Sequence, residues 1–156
     1  MSNSASARVN YEKTAIYESL VDDYNVFDSY VDFFMFAASL GFRNGEPDPN
    51  GDEGDNEMLW MHLQKTDLYR VVAASIAYQE TNDPETLLDT KAQLRILAQY
   101  AASGAQIAED EFGDVTGDPT NAVVNYLQVH HGSEEQEADE SILSNIKMSF
   151  ENDNPI

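Results

Sequence analysis

The sequence predicts an all-α fold, a compact orthogonal bundle of about five to six helices that carries an acidic loop and an acidic C-terminal tail. Three observations predict it. Apolar residues recur at three- and four-residue spacing over several stretches. Capping residues, glycines and prolines punctuate those stretches where helices would start and stop. A chain of 156 residues that is 42% hydrophobic and 10% aromatic can also bury one core, so the acidity is a surface property laid over an ordinary interior. The expected organisation is a flexible N-terminus over residues 1–9, a helical domain over 10–131, and an acidic tail over 132–156 that includes a short helix.

From Tyr11, the residues Ile16, Tyr17, Leu20 and Val21 mark a first helix through about Asp22. Phe27 to Phe42 is the most apolar stretch and reads as the central buried helix, with Asp28 or Ser29 as its N-cap and Gly41 as its stop. Asn44 to Glu57, which carries GEPDPNGDEGDNE, is an acidic surface loop with nothing to bury. Met58 to Leu63 (MLWMHL) is too short for periodicity to choose between strand and helix.

Asp67 caps a helix through Thr81 that places Leu68, Val71, Val72, Ser75, Ile76 and Tyr78 or Gln79 around its wheel. Asn82-Asp83-Pro84 breaks it, and Pro84 suits the first turn of a helix running through Leu87, Leu94, Leu97 and Tyr100 to an interruption at Gly104. Ile107 and Phe112 mark a continuation or a separate helix. Asp118-Pro119 opens another, with Val123, Val124 and Leu127 toward the core. Beyond Gly132 the solvated run SEEQEADES leads to Ile142, Leu143, Ile146, Met148 and Phe150, a weakly amphipathic helix.

Acidic residues number 29 against 8 basic ones, a net charge of -21. At about 1 M salt the Debye length is only about 3 Å, so such a surface suits a very salty cytoplasm, where its self-repulsion is screened. The same charge argues against autonomous nucleic-acid binding, which rests on clustered lysine and arginine. With no cysteine there is neither a disulfide framework nor a thiolate nucleophile, and no segment approaches the length of a membrane span. These features place the chain in the cytoplasm.

The chemistry-bearing residues form no recognisable catalytic pattern. Asp48, Asn50, Asp52 and Asp55 resemble a calcium loop, but from Asp48 the sixth position is Glu53 where glycine is needed and the twelfth is Leu59 where a bidentate glutamate is needed. His130 and His131 would point about 100° apart on a helix and so cannot both ligate one metal, and His62 stands alone. Neither a nucleophile elbow nor a phosphate-binding glycine loop is present. The expectation is a non-enzymatic protein without cofactor or metal. Its candidate partner-binding residues are Arg43, just past Gly41-Phe42, the lone Trp60, and Ile142, Ile146 and Phe150 of the tail. Arg43 could equally pair with a carboxylate, and Trp60 could equally be core.

The run Val26-Phe27-Asp28-Ser29-Tyr30, followed by Phe36-Ala37-Ala38-Ser39-Leu40-Gly41-Phe42 and Gly45, resembles the opening signature of the Dnd system-associated protein 4 family, small proteins encoded beside DNA phosphorothioation genes. Ala77 to Leu87 (AYQETNDPETL), Gln99-Tyr100-Ala101 through Gly104, and Gly117-Asp118-Pro119 resemble later segments of that family in the same order. The resemblance runs from about Tyr11 to Leu127. It implies an accessory role in phosphorothioate-based modification or restriction of DNA, a defence against phage and plasmids, with larger proteins of that system as partners. It carries no catalytic residue over. Relatives are basic just after the Gly-Phe pair, whereas here only Arg43 stands before Glu46. The alternative reading is an acidic regulator that mimics DNA charge in a partner's basic cleft.

Overall fold

The computed structural model describes residues 7–129, and the chain divides into two units, Met1–Pro119 and Thr120–Ile156. The first unit is mostly helical, as expected, with the addition of a two-stranded sheet. Strand β1 (Arg8–Tyr11) pairs antiparallel with β2 (Asn56–Leu59), with Val9 opposite Met58 and Tyr11 opposite Asn56. Val9, Tyr11 and Met58 are buried while Arg8, Asn10 and Glu57 face outward, the alternation a half-buried strand requires. Arg8 and Val9 therefore belong to a strand, where the sequence reading has a flexible N-terminus. β1 pairs across the whole acidic loop and packs on a later helix, and neither relation leaves a local periodic signal.

Helix α1 (Ala15–Tyr17) winds directly into a π-helical segment, Glu18–Asp23, and buries Ile16, Tyr17, Leu20 and Val21. Helix α2 (Tyr30–Asn44) starts where Ser29 Oγ accepts the Asp32 amide at 3.2 Å. It runs three residues past Gly41, so that glycine does not stop the helix. β2 leads straight into the short α3 (Trp60–Leu63), which resolves Met58 to Leu63 into a strand end and one helical turn. Helix α4 (Asp67–Thr81) has Thr66 at its N-cap and ends on Asn82 in the left-handed region (φ 56°), whose N–H bonds the Tyr78 carbonyl at 2.6 Å.

Pro84–Leu88 is a separate 3-10 helix, capped by Asp83. Asp89 Oδ1 then accepts the Ala92 amide at 3.0 Å and starts α5 (Thr90–Phe112), which passes Gly104 without a break. The single helix expected from Pro84 is thus two, and the expected interruption is absent. The second unit contributes a helix over residues 120–129, α6.

The core of the first unit is the α2–α5 pair, its most extensive packing. Phe33, Phe34, Ala37 and Ala38 of α2 are fully buried, as are Leu94, Leu97, Ala98 and Ala108 of α5. An aromatic cluster closes the end of α2 that adjoins α1: Tyr17 meets Phe33 edge-on at 4.5 Å between centroids, and Tyr11 meets Phe34 at 5.4 Å. Each such pair contributes about 0.5–1.5 kcal/mol beyond the area it buries. The acidic loop is pinned to α5, since the Asp48 N–H bonds the Gln99 carbonyl at 3.0 Å and Ser103 Oγ donates to the Glu46 carbonyl.

Candidate partner-binding surface

Helix α4 buries one face and presents an apolar stripe on the other. Ala73, Ile76 and Ala77 are its buried residues, whereas Leu68 is 64%, Val71 62% and Tyr78 38% exposed. Positions 68, 71, 75 and 78 lie on one side of a helix that turns about 100° per residue, roughly opposite 73, 76 and 77. Leu68 and Val71 therefore do not serve the core. Ala73 and Ala77 flank Ile76 on the face that packs against α5, and Leu68 and Val71 lie on the opposite side of the helix. Leu88, on the 3-10 helix that follows, is 91% exposed.

A hydrogen bond to α2 lies on the inner side of this helix. Tyr69 Oη donates to Asp32 Oδ1 of α2 at 2.5 Å, and burial together with that carboxylate holds the phenol well above its ordinary pKa. With Tyr69 tied inward, Leu68 is turned outward. Arg70 pairs with Asp67 on the same turn, so from Asp67 to Gln79 the surface of a strongly acidic chain carries no net charge. Leu68, Val71 and Tyr78 thus stand exposed along one side of α4, with Ser75 between Val71 and Tyr78.

The residues singled out in the sequence lie elsewhere. Arg43 is exposed on the last turn of α2. Trp60 is only 6% exposed, while its neighbours Met61, at 41%, and His62 are the exposed residues of that run. Ile142, Ile146 and Phe150 lie outside the described residues, as do His130 and His131. On α6, Val124 and Leu127 are each 42% exposed and face solvent where a core role was expected. The α4 stripe was missed because its spacing is that of any amphipathic helix, and spacing alone does not say which stripe is buried.

Three clefts are lined by described residues of the first unit. One of about 380 Å³ brings together Tyr11, Ser29, Tyr30, Glu57, Met58, His62 and Lys65, with Lys13 Nζ stacked 4.5 Å from the Tyr30 ring. Hydrogen bonding to Asp22, then burial, then the Asp22, Glu18 and Asp23 charges push the Tyr30 phenol up to about 12. Among the described residues no hydrogen bond couples His62 to a serine or a carboxylate, and no three His, Asp or Glu side chains gather as a metal site. A second cleft, of about 560 Å³, is walled by Glu12, Glu46, Asp48 and Glu109. The third lies between β1 and the start of α5.

Comparison with protein families matches residues 7–146 to DNA sulphur modification system-associated protein 4. The chain belongs to this family. The match spans all of β1 to α6, so the Gly41 and Gly104 segments and the exposed face of α4 are parts of a family domain. Membership associates the chain with a DNA sulphur modification system. No curated protein and no solved structure matches. Among the described residues no helix is long and apolar enough to cross a membrane.

Proposed function

We propose that this member of the DNA sulphur modification system-associated protein 4 family is a non-enzymatic adaptor of a phosphorothioation-linked modification or restriction system that defends against phage. It acts by contact with the larger proteins of that system. The observation that carries the reading is the outward stripe of Leu68, Val71 and Tyr78 on α4: large apolar side chains held at the surface by a helix whose inner face is already satisfied. Arg43 and the tail residues Ile142, Ile146 and Phe150 are secondary contacts in this reading.

Co-expression with the modification and restriction proteins of the same system, followed by purification in molar salt, tests it. One of them is expected to co-purify with the wild-type chain and not with Leu68→Asp/Val71→Asp, because high salt leaves an apolar interface intact and a buried aspartate disrupts it. Absence of any such partner overturns the adaptor reading. Release of the partner by duplex DNA would instead favour charge mimicry of DNA.

A further inference from the structure

We infer that the cleft between β1 and the first two turns of α5 is a groove for an extended segment of a partner protein, which adds to β1 as a third strand. In the β1–β2 ladder the Trp60 N–H bonds the Ala7 carbonyl at 2.9 Å. Antiparallel pairs alternate between hydrogen-bonded and non-hydrogen-bonded, so with Val9 opposite Met58 and Tyr11 opposite Asn56 that bond makes Ala7, Val9 and Tyr11 the residues whose N–H and C=O point at β2. Those of Arg8 and Asn10 therefore point away from β2, along the free edge of β1. Among the described residues they have no hydrogen-bond partner. A row of unpaired main-chain donors and acceptors is a template that an extended backbone completes.

The cleft runs along that edge. Consecutive strand residues turn their side chains to opposite faces, yet Arg8, Val9 and Asn10 all line it, so it borders the backbone of β1 and not one face of the sheet. Its far wall is α5, through Asp89, Lys91, Ala92 and Arg95, and its volume is about 300 Å³. An exposed strand edge beside such a groove takes up extended peptides by β-augmentation, with main-chain hydrogen bonds giving the affinity. The helical wall excludes a second copy of this chain, whose β1 is flanked by its own β2 and backed by its own α5. The charges of the lining balance, since Arg8 pairs with Glu57 while Lys91 and Arg95 are matched by Asp52 and Asp89. The groove thus offers backbone hydrogen bonds without the repulsion that a net charge of -21 gives the surface as a whole. The segment it fits is extended, near-neutral and free of proline at the residues that pair.

Selection of random dodecapeptides displayed on phage against the full chain in molar salt, followed by titration of the synthetic peptides recovered, tests the groove. Asn10→Pro removes one edge N–H and is expected to weaken these peptides by at least about tenfold. The β1–β2 ladder survives that change, because proline is accepted where the N–H faces an open edge. Asn10→Ala keeps the N–H and should lose far less. Ala92→Phe, which fills the cleft from α5 and leaves β1 untouched, gives the same loss should the proline variant not fold. On binding, hydrogen exchange of the Arg8 and Asn10 amides is expected to slow by at least about tenfold, while those of Val9 and Tyr11 are protected already in the free chain. Absence of any enriched peptide, unchanged affinity in Asn10→Pro and Ala92→Phe, or Arg8 and Asn10 amides already protected in the free chain, as self-pairing would give, overturns the inference.

Discussion

Gly41 of α2 and Gly104 of α5 lie against each other where the two central helices cross: a methyl group on Gly41 would stand 2.9 Å from the Gly104 backbone nitrogen and overlap the Tyr100 carbonyl. A methyl on Gly104 would in turn overlap the backbone of Ala37. The atoms met are main chain, which cannot rotate away as a side chain would. Gly41→Ala or Gly104→Ala is therefore expected to force the helices apart and cost about 1–3 kcal/mol or more. Urea unfolding in molar salt reads this as a lowered midpoint at unchanged slope. The double variant should cost less than the sum of the two, because the first methyl already opens the crossing the second would enter. Additive costs would mean that the two glycines do not share one contact.

Dilution to low salt should loosen or unfold the protein. The chain carries a net charge of -21, and the ion pairs Arg8–Glu57, Lys13–Glu18 and Arg70–Asp67, which are among those of the described residues, join mostly exposed side chains, each worth under about 1 kcal/mol. Far-ultraviolet circular dichroism and thermal midpoint across a salt series check this, with the midpoint rising as salt is added. A midpoint independent of salt would remove halophilic adaptation as the reason for the acidity.

Alkaline pH should unfold the chain through its tyrosines. Burial raises the Tyr17 phenol far above its ordinary value, and burial, then the hydrogen bond to Glu80 and the Glu80 and Glu46 charges, push Tyr100 up to about 12. A phenol whose folded pKa exceeds its unfolded value of 10 stabilises the fold fully below pH 10. That contribution is lost as pH rises from about 10 through the folded values. Tyrosinate absorbance should accordingly lag the ordinary titration above pH 10 and then climb together with loss of helical ellipticity. Simple titration around 10 with the helix signal intact would contradict the buried placement of Tyr17.

Tyr69→Phe removes the bond to Asp32 and is expected to cost about 1–2 kcal/mol, since the acceptor is a carboxylate held between two helices. Leu68→Asp, one residue away, should stay within about 0.5 kcal/mol of wild type, because that side chain is 64% exposed. Chemical denaturation of the two variants reads the difference. Reversal of that order would mean that Leu68 faces the interior and that α4 has no free apolar face.

Buried Gln93 gives a further test of the α5 start. Its Nε2 donates to the Thr86 carbonyl at 2.7 Å, while its Oε1 has no partner among the described residues. Gln93→Glu would bury a carboxylate facing that carbonyl, and a loss of about 2–4 kcal/mol at neutral pH, partly recovered as acid protonates it, is expected from thermal melts. Insensitivity of the variant to pH would show that the site is open to water.

Much of this protein was determined by local sequence. The helical class, the C-terminal end of α4, a cap at Asp28 or Ser29 and the turn at Asn82 to Pro84 are legible because capping, breaking and 3.6-residue spacing act within a few residues of the chain, and the family is legible as a resemblance of short motifs in a fixed order. The roles of Gly41 and Gly104 were not legible: each reads locally as a helix end, and only the crossing of α2 and α5 makes both necessary inside continuous helices. The β1–β2 pairing and the orientation of α4 are likewise tertiary, since a strand's partner and a helix's buried stripe depend on what lies opposite. The sequence by itself made Leu68 and Val71 apolar; the packing of α4 on α5 and of β1 beside the start of α5 decided that these two face outward and that β1 borders a cleft along its free edge.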